Sequence, residues 1–447
     1  MRFNLSLVIP ILWLMAGCRT YQSYHATPVD TATILSELVT SRRPATSADS
    51  GAGMRTTLSL HQAASWMSAH NPDLRELRAA YDGLAARANV RTPLPNPTIE
   101  VGVARGFRVA ETEESRTQPF VVLGFAIPFG PRLARTDDLH AAEAEAARVE
   151  LVARHRELYL QLRGAFLRCA LLRRRLQVHE ALISEAGRVR KLAVRLTEIG
   201  QTSALDVGLM DLDAGQLRLG HNELMAELAA GRAELASLTG VSEQRFGDLP
   251  VADVATVRMP GIDELRGLLA ENHPELVPLQ AHYEVAERAL RLEVTNQYPD
   301  LQIAVEGEQE TGERKREFGL AAGIEVPLFD RNQQGITEAV QARRAARVRY
   351  EAAAGRALAE LEALADQLAL VRKRQHIVDQ ELLPQAQANL ASARRLLEAG
   401  QLDALRFLEL QRGRRELEIA SLDAQVTRLD VELALERLTG TPLLRRR

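Results

Sequence analysis

Three carboxylates, Asp206, Asp211 and Asp213, fall within about two turns of one another just behind a glycine turn. If several copies of the chain were arranged about an axis, such acids would stack into carboxylate rings that favour cations. A simpler reading is that acids near a helix start complement its macrodipole. Only Asp206 is close enough to the turn for that, and Arg406 occupies the corresponding place later in the chain, so an Asp206–Arg406 pairing is a third reading. The histidines His70, His140, His155, His179 and His273 are scattered and suggest no metal cluster. His179 and the free thiol Cys169 fall on an apolar helical seam and read as core residues. Arg173-Arg174-Arg175 reads as a solvated helix face. There is no phosphate-cradling glycine loop, no H-E-x-x-H, no G-x-S-x-G and no cysteine pair at zinc spacing. The expectation is a chain with no catalytic residue, no metal and no cofactor, and not an enzyme.

One residue does carry an expected modification. A basic start, Met1-Arg2, precedes an apolar run from Leu5 to Ala16 and then Met15-Ala16-Gly17-Cys18. This is the pattern of a secretory signal over residues 1–17. The cysteine directly behind small residues resembles a bacterial lipobox, in which Cys18 would carry the lipid and become the first mature residue. Met15 stands where the motif usually has Leu. Residues 18–57, rich in Ser, Thr, Ala and Pro, read as lipid anchor and spacer. No later stretch approaches the ~20 apolar residues of a membrane-crossing helix.

The elements behind these residues come in two copies. His70-Asn71-Pro72-Asp73-Leu74 returns as Asn272-His273-Pro274-Glu275-Leu276. Asn96-Pro97-Thr98-Ile99 returns as Tyr298-Pro299-Asp300-Leu301, and Ala126-Ile127-Pro128-Phe129 as Glu325-Val326-Pro327-Leu328. Glu198-Ile199-Gly200-Gln201 returns as Glu398-Ala399-Gly400-Gln401, and Leu238-Thr239-Gly240 as Leu438-Thr439-Gly440. An offset of about 200 residues is too long for a solenoid unit and marks a duplicated half. The expected repeats span 58–240 and 262–440, joined by a connector 241–261 and followed by a tail 441–447. Each repeat should hold an entry helix, a hairpin (98–129 and 300–328), a long helix and a return helix. The return helices start after turns at Gly200 and Gly400 and stop at glycine, with Ser203 as the first N-cap.

In the hairpins large apolar residues alternate with small or charged ones, as in Ile99, Val101, Val103 and in Leu301, Ile303, Val305. A barrel in a membrane would turn the apolar face to lipid. Four strands cannot close a barrel, and lipid does not tolerate open edges, so several chains would have to share one; three copies give twelve strands. The long helices carry seams stepping by four and three, Leu158, Leu162, Ala165, Cys169, Leu172, Leu176, His179, Ile183 and Ala186 in the first, and Leu361, Leu364, Leu368, Val371, Gln375, Val378 and Leu382 in the second. A helix of about 67 residues is ~100 Å long, a length that suits a tube or stalk. A net charge of −3, from 56 Lys+Arg and 59 Asp+Glu, gives no basic field for nucleic acid. Aromatic residues at 4% and abundant Ala, Leu, Glu and Arg point to long helices.

Signal and lipobox, duplicated helix–hairpin–helix–helix halves, Leu94-Pro95-Asn96-Pro97 before the first strand and the glycine turn with Ala-Leu behind it together resemble the TolC-type outer membrane efflux family, on the side of its heavy-metal and lipoprotein branches. The resemblance covers 58–440. It implies a mainly α fold with a small β part: antiparallel coiled-coil helices forming an α-barrel, and four strands per chain in a shared twelve-stranded transmembrane β-barrel of a homotrimer. It also implies the outer membrane as location, a periplasmic adaptor and an inner-membrane pump as partners, and Gly200 and Gly400 at the periplasmic tip. The competing reading is a lipid-anchored periplasmic coiled-coil scaffold without a pore.

Overall fold

The computed structural model describes residues 29–42, 57–105, 117–198, 203–251, 259–309, 316–398, 401–402 and 404–443. Cys18, the two turn glycines Gly200 and Gly400, and most of the two strand-connecting loops lie outside them. Within the segment read as spacer there is a helix, α1 (Thr31–Arg42). Asp30 starts it: one carboxylate oxygen accepts from the Ala32 N–H at 3.1 Å and the other from the Thr33 hydroxyl. Ile34 and Leu35 on this helix are exposed.

Each repeat opens with two helices where the sequence reading expected one. They are α2 (Leu60–His70) and α3 (Pro72–Ala88) in the first repeat, and α6 (Ile262–Asn272) and α7 (Leu276–Thr295) in the second. The breaks fall at Asn71 and His273. Asn71 Oδ1 accepts from the Leu74 N–H at 3.1 Å, and its amide donates to the Leu238 carbonyl at 2.8 Å. At His273 a ring nitrogen does the same work: Nδ1 accepts from the N–H groups of Glu275 at 3.1 Å and Leu276 at 3.2 Å. An accepting Nδ1 requires the neutral ring with its proton on Nε2. Burial supports that state by pushing the His273 pKa down, against the opposing pull of Glu275 and Glu360.

The strands are β1 (Thr98–Arg105), β2 (Thr117–Pro128), β3 (Asp300–Gln309) and β4 (Arg316–Ile324). The two hairpins join through β2 and β3 into one antiparallel sheet in the order β1-β2-β3-β4. β4 stops at Ile324, short of the expected 328, because Pro327 has no N–H for a ladder and the Leu328 N–H turns back onto the Val326 carbonyl at 2.8 Å.

Below the sheet run the long helices. α4 (Arg132–Glu198) is unbroken over 67 residues. α5 (Ala204–Thr239) returns beside it, started by a capping box in which Ser203 Oγ accepts from the Asp206 N–H and Asp206 accepts from the Ser203 N–H at 3.0 Å. In the second repeat the long helix is α8 (Gln333–His376), then a π-helical turn Ile377–Leu382, then α9 (Leu383–Glu398), with α10 (Ala404–Thr439) returning. Pro384 explains the π-turn. A proline inside an α-helix lacks the N–H for residue i−4 and its ring clashes with that carbonyl. Widening one turn relieves both, and the Leu383 N–H bonds Val378, five residues back. The extra residue shifts the seam, leaving Leu382 exposed where strict heptad stepping placed it in the core.

Each repeat has its own core where entry, long and return helices meet. The first gathers Leu58, Met67, Leu74, Leu162, Phe166 and Leu235, with Trp66 stacked on Phe246 at 6.1 Å. The second gathers Leu265, Leu269, Leu276, Leu361, Leu435 and Leu438. Both cores are closed by a glycine in left-handed conformation. A Cβ on Gly240 (φ +69) would stand 2.4 Å from the His70 carbonyl oxygen, and one on Gly440 (φ +63) 1.9 Å from that of Asn272. Glycine is needed at both for conformation and for space.

Candidate functional site

The sheet has two unlike faces, and the register defines them. Across the strands run the rows Ile99–Leu123–Val305–Leu320, Val101–Val121–Gly307–Phe318 and Ile127–Leu301–Ile324. These residues share one face. No core covers it: Phe318 is 82% exposed, Leu320 80% and Val101 67%. The opposite face carries Thr98–Gly124–Ala304–Ala321, Glu100–Val122–Glu306–Gly319 and Gly102–Phe120–Glu308–Glu317. There the Phe120 ring lies over Gly102, leaving no room for a Cβ. A soluble sheet buries its apolar face; here the apolar face is left uncovered, as are Glu100, Glu306 and Glu317 on the other. Within the described strands β1 pairs only with β2, and β4 only with β3, so both outer strands present open edges. Among the described residues no helix is long and apolar enough to cross a membrane.

Where sheet meets helices, Arg132 at the start of α4 is paired with Asp300 at the start of β3. The Thr92 N–H and hydroxyl both donate to Asp137, at 2.8 and 2.6 Å, and hold its carboxyl below the usual range. Through these bonds the proline-rich strand entry is clamped to α4.

Further along, the two repeats are fastened by ion pairs between α4 and α10. Arg163 meets Glu436, Arg168 meets Asp430 at 2.7 Å, Arg175 meets Asp423 at 2.5 Å and Glu185 meets Arg414 at 2.6 Å. As the α4 number rises the α10 number falls in step, the signature of one antiparallel line of contact. Arg175 is thus mostly buried and paired, which corrects its reading as part of a solvated face. Glu432 and Glu436 are fully buried. Arg372 from α8 donates to Glu432 at 3.1 Å, while burial still raises the Glu432 pKa. Glu436 also accepts from the Leu443 N–H at 2.7 Å. These residues were missed because a single Glu or Arg on a helix does not reveal which neighbour it faces.

The three aspartates do not converge on one another. Asp206 sits in the Ser203 capping box. Asp211 forms a two-pronged pair with Arg190 of α4, which lowers its pKa. Asp213 pairs with Arg415 of α10, so it joins the repeats. Cys169 lies in the first core as a free thiol that burial pushes up to about 11, and His179 is buried between α4 and α5 with a lowered pKa from burial and Arg175. Both are core residues. Among the described residues no group of His, Cys, Asp and Glu could hold a metal ion.

This architecture is shared with known proteins. The family model described as outer membrane efflux protein matches residues 265–441. The cobalt-zinc-cadmium resistance protein CzcC of Cupriavidus metallidurans is 24% identical over 349 residues, covering 78% of this chain and 81% of that one. The solved structure of CusC, described in terms of transmembrane channel formation, superposes with a TM-score of 0.66 at 18% identity, over 95% of this chain and all of that one. The outer membrane protein VceC of Vibrio cholerae gives 0.66 at 17% identity over 86% and 96%, and the open MtrE outer membrane channel of Neisseria gonorrhoeae 0.65 at 16% over 86% and 89%. With a duplicated helix–hairpin–helix–helix body, an uncovered apolar sheet and a family match across the second repeat, the chain is similar to outer membrane efflux proteins of the TolC type.

Proposed function

We propose that three copies of this chain form the outer membrane channel of a tripartite efflux system, a passive exit duct fed by an inner-membrane pump through a periplasmic adaptor. The observation that carries it is the four-stranded sheet with an uncovered apolar face and two open edges. Lipid accepts the apolar face but no open edge. The edges are satisfied when β4 of one copy pairs with β1 of the next, and three copies close a ring of twelve strands. At about 3.3 Å per residue and a tilt near 40°, strands of 8 to 12 residues match the ~25 Å apolar band of such barrels. The helices then continue the tube into the periplasm, α4 alone for ~100 Å. A pore-less scaffold would leave the apolar face without a partner.

The finer assignments belong to the same reading. Cys18 carries the lipid and anchors the mature chain to the outer membrane, after removal of residues 1–17. Gly200 and Gly400 turn the chain at the periplasmic end. Of the three aspartates proposed to tune cation entry, Asp206 is best placed at that end, since Asp211 and Asp213 spend their charge on Arg190 and Arg415. Nothing in the chain's own chemistry points to catalysis, and opening is a matter of helix position.

The test is planar-bilayer conductance of the purified full-length protein, with its oligomeric mass in detergent measured on the same sample. A trimer with discrete conductance steps supports the duct. A monomer that needs no detergent and does not conduct overturns it.

A further inference from the structure

The helix α1 belongs to residues 1–53, a unit separate from the body 54–447. Every side chain described from Val29 to Ser36 is exposed, Ile34 and Leu35 among them. Helical spacing sets the positions of Ile34, Leu35, Leu38 and Val39 on one side of the backbone, and those of Thr33, Ser36, Glu37 and Thr40 on the other. Glu37 and Arg42 are its only charges, and they cancel. Chain length says where the apolar side can go. Leu58 shares the first core with Leu158 and Leu162. Leu158 lies about 40 Å along α4 from its start at the sheet, at ~1.5 Å per residue. An extended tether covers about 40 Å with about 12 residues. Residues 19–57 are roughly three times that many. Residues 43–57 alone cover about 50 Å, enough to carry the chain from Leu58 back to the level where sheet gives way to helices.

We infer that α1 is an interfacial helix: it lies flat in the periplasm-side surface of the outer membrane, with Ile34, Leu35, Leu38 and Val39 toward the acyl chains. An interfacial helix buries its apolar side at the boundary of headgroups and acyl chains and keeps its polar side among the headgroups. Four apolar side chains on 12 residues bind weakly by themselves. A lipid on Cys18 in the same chain holds the helix at the surface, so its insertion is an intramolecular step at high effective concentration. Basic interfacial helices use anionic lipid; α1 has no net charge, so its occupant is the apolar layer of an ordinary phospholipid surface. With α1 seated there, the working spacer shrinks to 43–57, whose reach matches the distance to Leu58. The helix thereby adds a second attachment and fixes the height at which the anchor holds the body. This rests on the outer-membrane reading and on the lipid at Cys18.

The test uses the mature full-length protein in vesicles of phosphatidylethanolamine with phosphatidylglycerol. A spin label is placed at Leu35→Cys or, in a separate sample, at Ser36→Cys; the buried Cys169 stays unlabelled. Collisions with oxygen, which concentrates in lipid, are compared with collisions with a water-soluble nickel chelate. The expected result is a Leu35 label that favours oxygen, about 5–10 Å below the headgroups, and a Ser36 label that favours nickel. Adding Ile34→Asp to the Leu35→Cys protein should turn its label toward nickel. Raising the salt should change neither label, since no net charge is involved. A Leu35 label as open to nickel as the Ser36 label puts the helix in water and overturns the proposal. A Leu35 label shielded from both reagents puts the helix against protein and overturns it equally. The mass of the N-terminal peptide reads the anchor separately. An unmodified Cys18 with the Leu35 label in lipid leaves the interfacial helix standing and the anchor reading fallen; a lipidated Cys18 with a wet label gives the reverse.

Discussion

The first and second repeats build the same layout with different chemistry. In the first, the entry helices break at Asn71, a side chain whose capping is indifferent to pH; in the second they break at His273, which must stay neutral to accept two N–H bonds. The first supplies a straight helix with arginines along one line, and the second supplies the facing acids and a π-turn. Duplication fixed where helices, hairpins and stops fall. Divergence then divided the chemistry: the first repeat keeps its long helix unbroken, and the second carries the histidine cap and the π-turn.

The sharpest way to break this comparison is at the positions where the halves agree. Gly240→Ala and Gly440→Ala should each cost about 3 kcal/mol or more, from left-handed strain plus the clash with a fixed carbonyl. Gly440→Ala should be the worse, its contact being closer. Denaturant melts of the detergent-solubilised protein measure this, and a mild effect at either site would mean the two closures are not equivalent.

Next in size is the join between halves. Arg163→Ala leaves Glu436 charged and buried, and should cost about 3–5 kcal/mol. The double variant Arg163→Met with Glu436→Leu should recover most of that loss, because apolar packing replaces a buried pair at little net cost. Equal damage from single and double variants would show that the pair does more than fasten α4 to α10.

The caps give a smaller and more diagnostic effect. Asn71→Ala and His273→Ala should each cost about 1 kcal/mol. Only the histidine should respond to pH. Its folded pKa is depressed below the ordinary 6.5, so the unfolded chain binds the proton more readily. The contribution of His273 is therefore fully present above about pH 6.5 and is lost as pH falls toward the depressed value. His273→Asn should remove that slope from melting curves taken across the range while leaving Asn71 variants unaffected.

The smallest effect is expected at Asp211. Its pair with Arg190 is solvent-exposed on both sides, and such pairs contribute little. Asp211→Asn should leave stability and single-channel conductance unchanged. A clear drop in cation preference would instead restore Asp211 to the entry site.

Much of this was legible in the residues. The paired landmarks from Asn71-Pro72 to Leu438-Thr439-Gly440 revealed the duplication, because caps, prolines and glycine stops are local choices that leave their residue types behind. Alternation in Ile99, Val101, Val103 and in Leu301, Ile303, Val305 marked both hairpins and their apolar face. Less visible were the division of each entry helix in two and the π-turn ahead of Pro384, since a proline marks a break but not how the helix accommodates it. The candidate site fared less well than the fold. Asp206, Asp211 and Asp213 are close in sequence, yet each found a different partner, one local, one on α4 and one on α10.

The sequence by itself determined the elements, their order, their duplication and the two-faced strands, since these depend on interactions within a few residues along the chain. Only the tertiary structure decided that the hairpins merge through β2 and β3, that α4 and α10 lock along one line of charges, and that Asp379 at the π-turn reaches Ser421 of α10. Those outcomes depend on which helix lies beside which and at what rotation. The heptad seam sets that rotation only until a π-turn shifts it by one residue.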